Sequence, residues 1–214
     1  MTNSVRFFGI KAMTIGAALS MTAGVAFAGD GNTISTNAII TSLKPGPVTR
    51  SLSSDPQKLE KKQHEIELIN RVRNRPTRSL SMDDREQLQS LTVDKPKVDL
   101  EINFDFNSAA ISQNSQSAVQ HLGEALSDAQ FRGQTFIVSG YTDAIGGEAF
   151  NQDLSNRRAD TIKKYLVDHY HIAAGDLVTV GYGKTHLKDA ANPDSPVNRR
   201  VQVVNSEAQS TAQK

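Results

Sequence analysis

The most informative stretch of the 214-residue chain is Gly140-Tyr141-Thr142-Asp143-Ala144-Ile145-Gly146. It follows the run 135–140, whose β-branched and aromatic side chains predict a central strand. Asp143 would therefore emerge at the rim of a sheet, in a loop whose glycines permit a sharp turn. The heptapeptide predicts a strand, then a loop that carries a carboxylate, and then a helix. Asn151 is placed to hydrogen-bond this loop across its base.

An arginine follows this carboxylate at a fixed spacing. Arg158 comes fifteen residues after Asp143, near the start of a helix predicted over 155–170 with Ser155 as its N-cap. Such a start places Arg158 beside free N–H groups and the positive end of the helix dipole. Two opposite charges held close together can grip a zwitterion, with Asp143 on the ammonium and Arg158 on the carboxylate. An ion pair between the two that only fixes the loop is the alternative.

Hydrophobic periodicity on either side predicts the other elements. Apolar residues alternate over 98–106, and further strands are predicted at 177–181 and 199–204. Helical spacing predicts the other helices at 56–73, 82–91 and 112–128. From residue 98 onward the order is β-α-β-α-β-β. This order predicts an α+β fold, a two-layer sandwich in which a mixed sheet carries helices on one face.

Together with Asn198-Arg199-Arg200-Val201, the pattern G-x-T-D-x-x-G-x-x-x-x-N-x-x-L-S-x-x-R-A…N-R-R-V resembles the OmpA-like peptidoglycan-binding domain over 97–205. The resemblance implies that Asp143 and Arg158 hold the amino and carboxyl groups of diaminopimelate in the stem peptide of peptidoglycan. It also implies that further residues line the cleft, namely Thr142, Asn151, Leu154, Phe106, Asn107 and Arg200, with Arg199 left open as the alternative to Arg200. Tyr141 stands where the family often has His, and Lys184 where it often has Glu.

The N-terminal third is predicted to contain a leader and an extension. Residues 1–28 have the charge, apolar run and Ala26-Phe27-Ala28 ending of a signal peptide, with cleavage expected after Ala28. Residues 29–96 are expected to form a flexible extension with two short helices, disordered over 29–54, and 206–214 a disordered tail. These features predict a periplasmic protein, associated with the outer membrane.

A short repeat marks this extension. Thr-Arg-Ser-Leu-Ser occurs at 49–53 and again at 77–81, where Ser81 and Asp84 have the spacing of a capping box. Two similar turns that each start a helix explain the repeat without any partner. The alternative hypothesis is that residues 47–92 dock onto an envelope protein.

Composition excludes several functions. The chain has no Cys, so thiolate chemistry and disulfides are excluded, and its five His residues lack zinc-ligand spacing. No nucleophile has a motif-supported base, so we expect no catalysis, no metal and no cofactor. The 24 basic and 23 acidic side chains nearly balance, which argues against nucleic-acid binding. The predicted function is non-catalytic tethering of peptidoglycan to the envelope. A scaffold or stator-like subunit anchored by a retained segment 12–28 is the alternative.

Overall fold

The computed structural model of the protein describes residues 34–45, 56–104 and 108–207. The predicted signal peptide, the first copy of the repeat, Phe106, Asn107 and the tail beyond 207 lie outside the described residues. Within the described ranges, no helix has the length and hydropathy that a membrane span requires.

Four strands form one mixed sheet, as predicted: β1 (Lys97–Leu100), β2 (Phe136–Gly140), β3 (Leu177–Gly181) and β4 (Val201–Asn205). Their spatial order is β1-β4-β2-β3, with β2 and β3 parallel and the other two pairs antiparallel. β2 is an interior strand, and all five of its residues are buried. The loop that carries Asp143 therefore starts from the middle of the sheet.

β1 is shorter than the alternating pattern over 98–106 suggested. It ends at Leu100, after which Ser115 Oγ accepts a hydrogen bond from Asn103 N at 2.8 Å. Phe104 then makes an isolated antiparallel bridge with Ile111. Ile102 remains buried beyond the strand end. The alternating apolar side chains therefore reflect packing against the core rather than one continuous strand.

In the part of the chain that the structure describes, five α-helices surround the sheet: α1 (Thr36–Leu43), α2 (Pro56–Val72), α3 (Met82–Thr92), α4 (Gln116–Leu126) and α5 (Glu148–Tyr170). α4 and α5 pack on one face, as predicted. The side chains on their inner sides are fully buried, namely Val119, Leu122, Ile162 and Leu166. They share one hydrophobic cluster with Val138 and Val203 of the sheet.

α1 corrects the prediction that residues 29–54 are disordered. Ser35 caps the helix by accepting a hydrogen bond from Ala38 N at 3.3 Å, and Ile39 and Leu43 are both 0% exposed. Asn205 Nδ2 donates to Leu43 O at 3.1 Å and ties the helix end to β4. The polar composition of this segment predicted disorder, although it contains two apolar residues one turn apart. These two residues are enough to hold α1 in the fold, because α4 and β1 provide the surface on which they pack.

The second face of the sheet is covered by α2 and α3, which the sequence placed in a flexible extension. Their apolar side chains form a second hydrophobic cluster with Ile137, Val178, Val180 and Val204. Strands β2 and β3 are apolar on both faces, a pattern typical of strands that are covered on both sides. Residues 56–92 therefore belong to the folded unit.

Thr77 and Leu80 of the second copy of the repeat face the interior of the fold. Thr77 is 1% exposed, and its hydroxyl lies within hydrogen-bond distance of Asp160 on α5 and Thr179 on β3. Ser81 and Asp84 form the predicted capping box at the start of α3. Arg85 then donates to Gly181 O at 2.7 Å, which joins α3 to the end of β3. Thr77 and Leu80 of this copy are therefore buried within the protein's own fold, whereas Arg78, Ser79 and Ser81 are exposed.

Candidate functional site

Neighbouring loops fix the shape of the loop that follows β2. Thr142 N donates to Gly183 O at 2.9 Å, and Ala144 N donates to Pro193 O at 3.1 Å. Gly146 has a φ of 92°, a conformation that side chains other than glycine rarely adopt. Asn151 Nδ2 donates to Ile145 O at 2.9 Å, so this amide closes the base of the loop as the sequence predicted.

Asp143 is 8% exposed and makes two polar contacts in this loop. Its Oδ1 accepts from Ile145 N at 3.2 Å. Its Oδ2 accepts from Arg199 Nη1 at 2.8 Å. The Arg199 side chain is 36% exposed, so the ion pair opens to solvent on the side of the guanidinium. The N–H of Ile145 thus orients the Asp143 carboxylate, and the carboxylate opens to solvent on the side of Arg199.

The position of Arg158 on its helix differs from the prediction. α5 begins at Glu148 with Gly147 as its N-cap, well before the predicted cap Ser155. The Ser155 hydroxyl instead accepts from Gly183 N at 2.8 Å. Arg158 therefore lies about three turns into the helix, where the dipole of the helix start has no effect. The extended backbone of Gly147 and the acidic first turn at Glu148 start the helix early.

The Arg158 guanidinium lies in a partly apolar pocket. Its central carbon is 4.7 Å from the centre of the Phe104 ring, and its Nε donates to Ser108 O at 3.4 Å. Burial lowers the pKa of Arg158 to about 10, although the negative charge of Asp143 opposes the shift. Arg158 therefore stays protonated at neutral pH. Among residues 34–45, 56–104 and 108–207, no carboxylate lies within ion-pair distance of it.

The charge of Asp143 thus acts on both Arg158 and Arg199, but its direct ion pair is with Arg199. The structure does not contain the Asp143–Arg158 ion pair that the sequence offered as an alternative. The site is a cluster of one carboxylate and two guanidiniums at the carboxyl ends of the parallel strands.

Arg200, chosen from the sequence over Arg199, lies outside this cluster. Successive side chains entering β4 point to opposite faces, so the two arginines diverge. The Arg200 guanidinium lies 3.8 Å above the ring of Tyr141 and donates to His186 O at 3.2 Å. Burial beneath this guanidinium raises the pKa of Tyr141 to about 12, although the positive charge of Arg200 lowers it. The structure thus places Arg199 rather than Arg200 beside Asp143, and the peptidoglycan-binding role of either arginine stays a prediction.

Three further predicted residues are buried around the cluster. Thr142 is 2% exposed and donates to Asp143 O at 2.9 Å, and Asn151 is 2% exposed. Leu154 is 6% exposed and lies one turn before Arg158 on α5. Thr142 and Asn151 thus support the loop that carries Asp143, and the ligand-binding roles of all three residues stay predictions. The roles of Phe106 and Asn107 remain predictions, because both lie outside the described residues.

Two residues support the site in ways that the sequence pattern did not reveal. Asn198 is 0% exposed, and its Nδ2 lies 2.9 Å from Pro193 O and 3.1 Å from Asn192 O, which fixes the loop that carries Arg199. Gly140 allows α5 to lie close to the sheet, because a Cβ there would be 2.4 Å from Ser155 O. Both residues stand in the sequence motif, but the motif does not state their structural role.

The chain thus has a mixed sheet with one aspartate and two arginines at its rim. Residues 103–200 match the OmpA family, and this part of the chain is an OmpA family domain. This confirms the resemblance found in the sequence.

Two relatives are named outer membrane porin F. The protein from Pseudomonas aeruginosa is 34% identical over 108 residues, which are 50% of this chain and 30% of the relative. The protein from Pseudomonas fluorescens is 37% identical over 116 residues, which are 53% of this chain and 35% of the relative. The chain thus spans about a third of the length of these curated relatives. The crystal structure of the peptidoglycan-associated lipoprotein from Burkholderia pseudomallei is also similar, with 23% identity, a TM-score of 0.41, and coverage of 48% of this chain and 86% of that one.

Proposed function

We propose that this protein binds peptidoglycan without catalysis, through stem peptides of the diaminopimelate type, and tethers the cell wall to the envelope. One observation carries the proposal: Arg158 is a cation that is only 8% exposed, it has no carboxylate partner in the described ranges, and the negative charge of Asp143 acts on it. Buried charges are costly unless they are paired. A ligand carboxylate would supply the missing partner of Arg158.

The cluster suits the head group of an amino acid. A carboxylate can accept two parallel N–H bonds from the terminal nitrogens of Arg158, because Arg158 Nε alone already has an acceptor in Ser108. The ammonium on the same carbon would then reach Asp143, which has room because Arg199 is partly exposed and can shift. With two arginines and one aspartate, the cluster favours a ligand whose ammonium is accompanied by a carboxylate. Diaminopimelate differs from lysine by one such carboxylate.

The test is binding of the full chain to isolated sacculi, for wild type, Asp143→Ala and Arg158→Ala. Truncating one charge of a desolvated pair costs about 2–5 kcal/mol, and the lower half applies at a rim, so each change should weaken binding about 30-fold or more. Arg157→Ala is the matched control, because Arg157 is the neighbouring arginine on α5 with a side chain 47% exposed. Equal retention of all four proteins would reject the site.

The choice of stem peptide is tested separately. Sacculi that carry lysine in place of diaminopimelate lack the carboxylate assigned to Arg158. We expect wild type to bind them at least tenfold more weakly, the equivalent of about 1.4 kcal/mol. Equal binding to both wall types would reject the diaminopimelate assignment and leave wall binding intact.

The location and the protein partner are also part of the proposal. We place the protein in the periplasm at the outer membrane, after cleavage at Ala28, which mass spectrometry of the mature N-terminus tests. Within residues 47–92, we place the docking surface for an envelope protein on the exposed side of α2, where Leu59 is 56% exposed and Ile66 is 50% exposed. Leu59→Ser together with Ile66→Ser should release the protein from the membrane fraction. Unchanged fractionation would remove this surface from the proposal.

A further inference from the structure

Two large apolar side chains are exposed beside the charge cluster. Ile145 is 61% exposed, and Phe150 is 45% exposed. Ile145 belongs to the loop that carries Asp143, and Phe150 lies in the first turn of α5. Single exposed apolar residues are normal, but a pair that adjoins a candidate binding site marks an interaction surface. Neither side chain is used by the head-group contacts described above.

Both side chains are held in place although they are exposed. Ile145 N donates to Asp143 Oδ1 at 3.2 Å, and Ile145 O accepts from Asn151 Nδ2 at 2.9 Å. The ring of Phe150 packs against Gly146, where a Cβ would lie 3.7 Å from its Cδ1 atom. Lys184 Nζ donates to Gly146 O at 3.0 Å and fixes the same turn. A surface that is already ordered loses little conformational entropy when a ligand binds to it.

We propose that Ile145 and Phe150 form a second subsite, which stacks against the apolar C–H face of a sugar ring in the glycan strand. This inference rests on the proposed function. The face of an aromatic ring carries partial negative charge and attracts the weakly positive C–H groups of a pyranose. Lys184, which contacts the same turn, supplies a hydrogen-bond donor for the hydroxyl and acetamido oxygens at the edge of the sugar.

The spacing of the two subsites fits the ligand. Phe150 lies eight residues before Arg158 on α5, which corresponds to about 12 Å along the helix axis. Diaminopimelate is the third residue of the stem peptide, and three extended residues span about 10–11 Å. The side chain of diaminopimelate, which ends in the head group, adds to this length. The sugar that bears the stem peptide is therefore within reach of Phe150 when the head group is held at Arg158.

The experiment compares two probes with the full chain by calorimetry: the free tripeptide L-Ala-D-Glu-diaminopimelate, and the same tripeptide on its disaccharide. We expect wild type to bind the disaccharide form about tenfold more tightly, a typical gain for one stacked ring. Phe150→Ala should remove this gain and leave the affinity for the free tripeptide within about twofold of wild type. Phe150→Tyr should retain the gain. Met82→Ala is the control, because Met82 is 68% exposed on α3.

Each outcome decides between the two proposals. If wild type binds both probes equally, or if Phe150→Ala weakens both to the same extent, the sugar subsite is overturned while wall binding stands. If Met82→Ala removes the gain as Phe150→Ala does, the effect is not local and the subsite is likewise overturned. If wild type binds neither probe, the proposed function fails and the subsite fails with it.

Discussion

Arg199 and Arg200 are adjacent in the sequence and identical in chemistry, yet the structure gives them different environments. Arg199 is 36% exposed over its side chain and pairs with Asp143 at the rim. Arg200 is 8% exposed as a whole residue and lies over Tyr141. Replacing each in turn by Met removes the charge and keeps much of the apolar stem, so the comparison isolates the contacts of the two guanidiniums.

The structure sets the expected magnitudes. A desolvated cation–π contact such as that of Arg200 with Tyr141 contributes about 2 kcal/mol. The hydrogen bond to His186 O and the ion pair with Asp99 Oδ1 at 3.6 Å add to it, whereas Arg200 Nε is buried without a hydrogen bond, and its removal offsets part of the loss. We therefore expect Arg200→Met to cost about 2 kcal/mol. Arg199→Met removes a partly exposed ion pair and should cost less than about 1 kcal/mol.

Urea denaturation followed by far-UV circular dichroism measures both losses. In thermal denaturation, a loss of about 2 kcal/mol would lower the melting temperature of a domain of this size by roughly 4–8 °C. Near-UV circular dichroism gives a second readout, because the chain has four Tyr and no Trp and the rings of Tyr141 and Tyr182 are stacked at 5.2 Å. Arg200→Met should change this band, whereas Arg199→Met should leave it unchanged. Equal losses of stability, or a larger loss for Arg199→Met, would refute the assignment of the two faces.

Three further predictions concern the fold. Ile39→Ala should cost about 2–5 kcal/mol in urea denaturation, because Ile39 is 0% exposed, and a loss below about 1 kcal/mol would mean that α1 does not pack as described. Gly181→Ala should cost about 1–3 kcal/mol, because its Cβ would lie 2.4 Å from Asn156 Oδ1, while Gly175→Ala, whose Cβ would meet no heavy atom nearer than 3.9 Å, serves as the neutral control. Burial raises the pKa of Asp84, but its hydrogen bonds and nearby arginines hold it below 3.8, so its stabilisation is present at neutral pH and is lost as the pH falls through this lowered pKa. Asp84→Asn should accordingly flatten the acid limb of a stability–pH curve, and an unchanged limb would contradict the assignment.

The part of the fold that depends on local pattern was predictable. The apolar strands, the loop at Asp143 and the amphipathic face of α5 follow from side-chain periodicity and turn residues. The Asn151 contact followed as well, because an amide at that spacing can reach the loop carbonyl. The motif also paired Asp143 with Arg158, and the structure brings the two charges close enough to interact.

The remainder depends on contacts distant in sequence. The polar segment before Ile39 and Leu43 gives no indication that α4 and β1 provide a surface for α1. The register of the chain at Arg199 and Arg200 is set by the entry into β4, which the sequence locates only to within a residue or two. The early start of α5 at Gly147 follows from a backbone conformation that composition does not reveal.

The layer formed by α2 and α3 determines where the protein can be cut. A fragment that begins at residue 97 would uncover Ile137, Val178 and Val180 to water and would take away Arg85, the donor to Gly181 O. The smallest autonomous folding unit therefore starts at or before residue 56. Limited proteolysis should leave a resistant core with that N-terminal boundary, well upstream of the family motif.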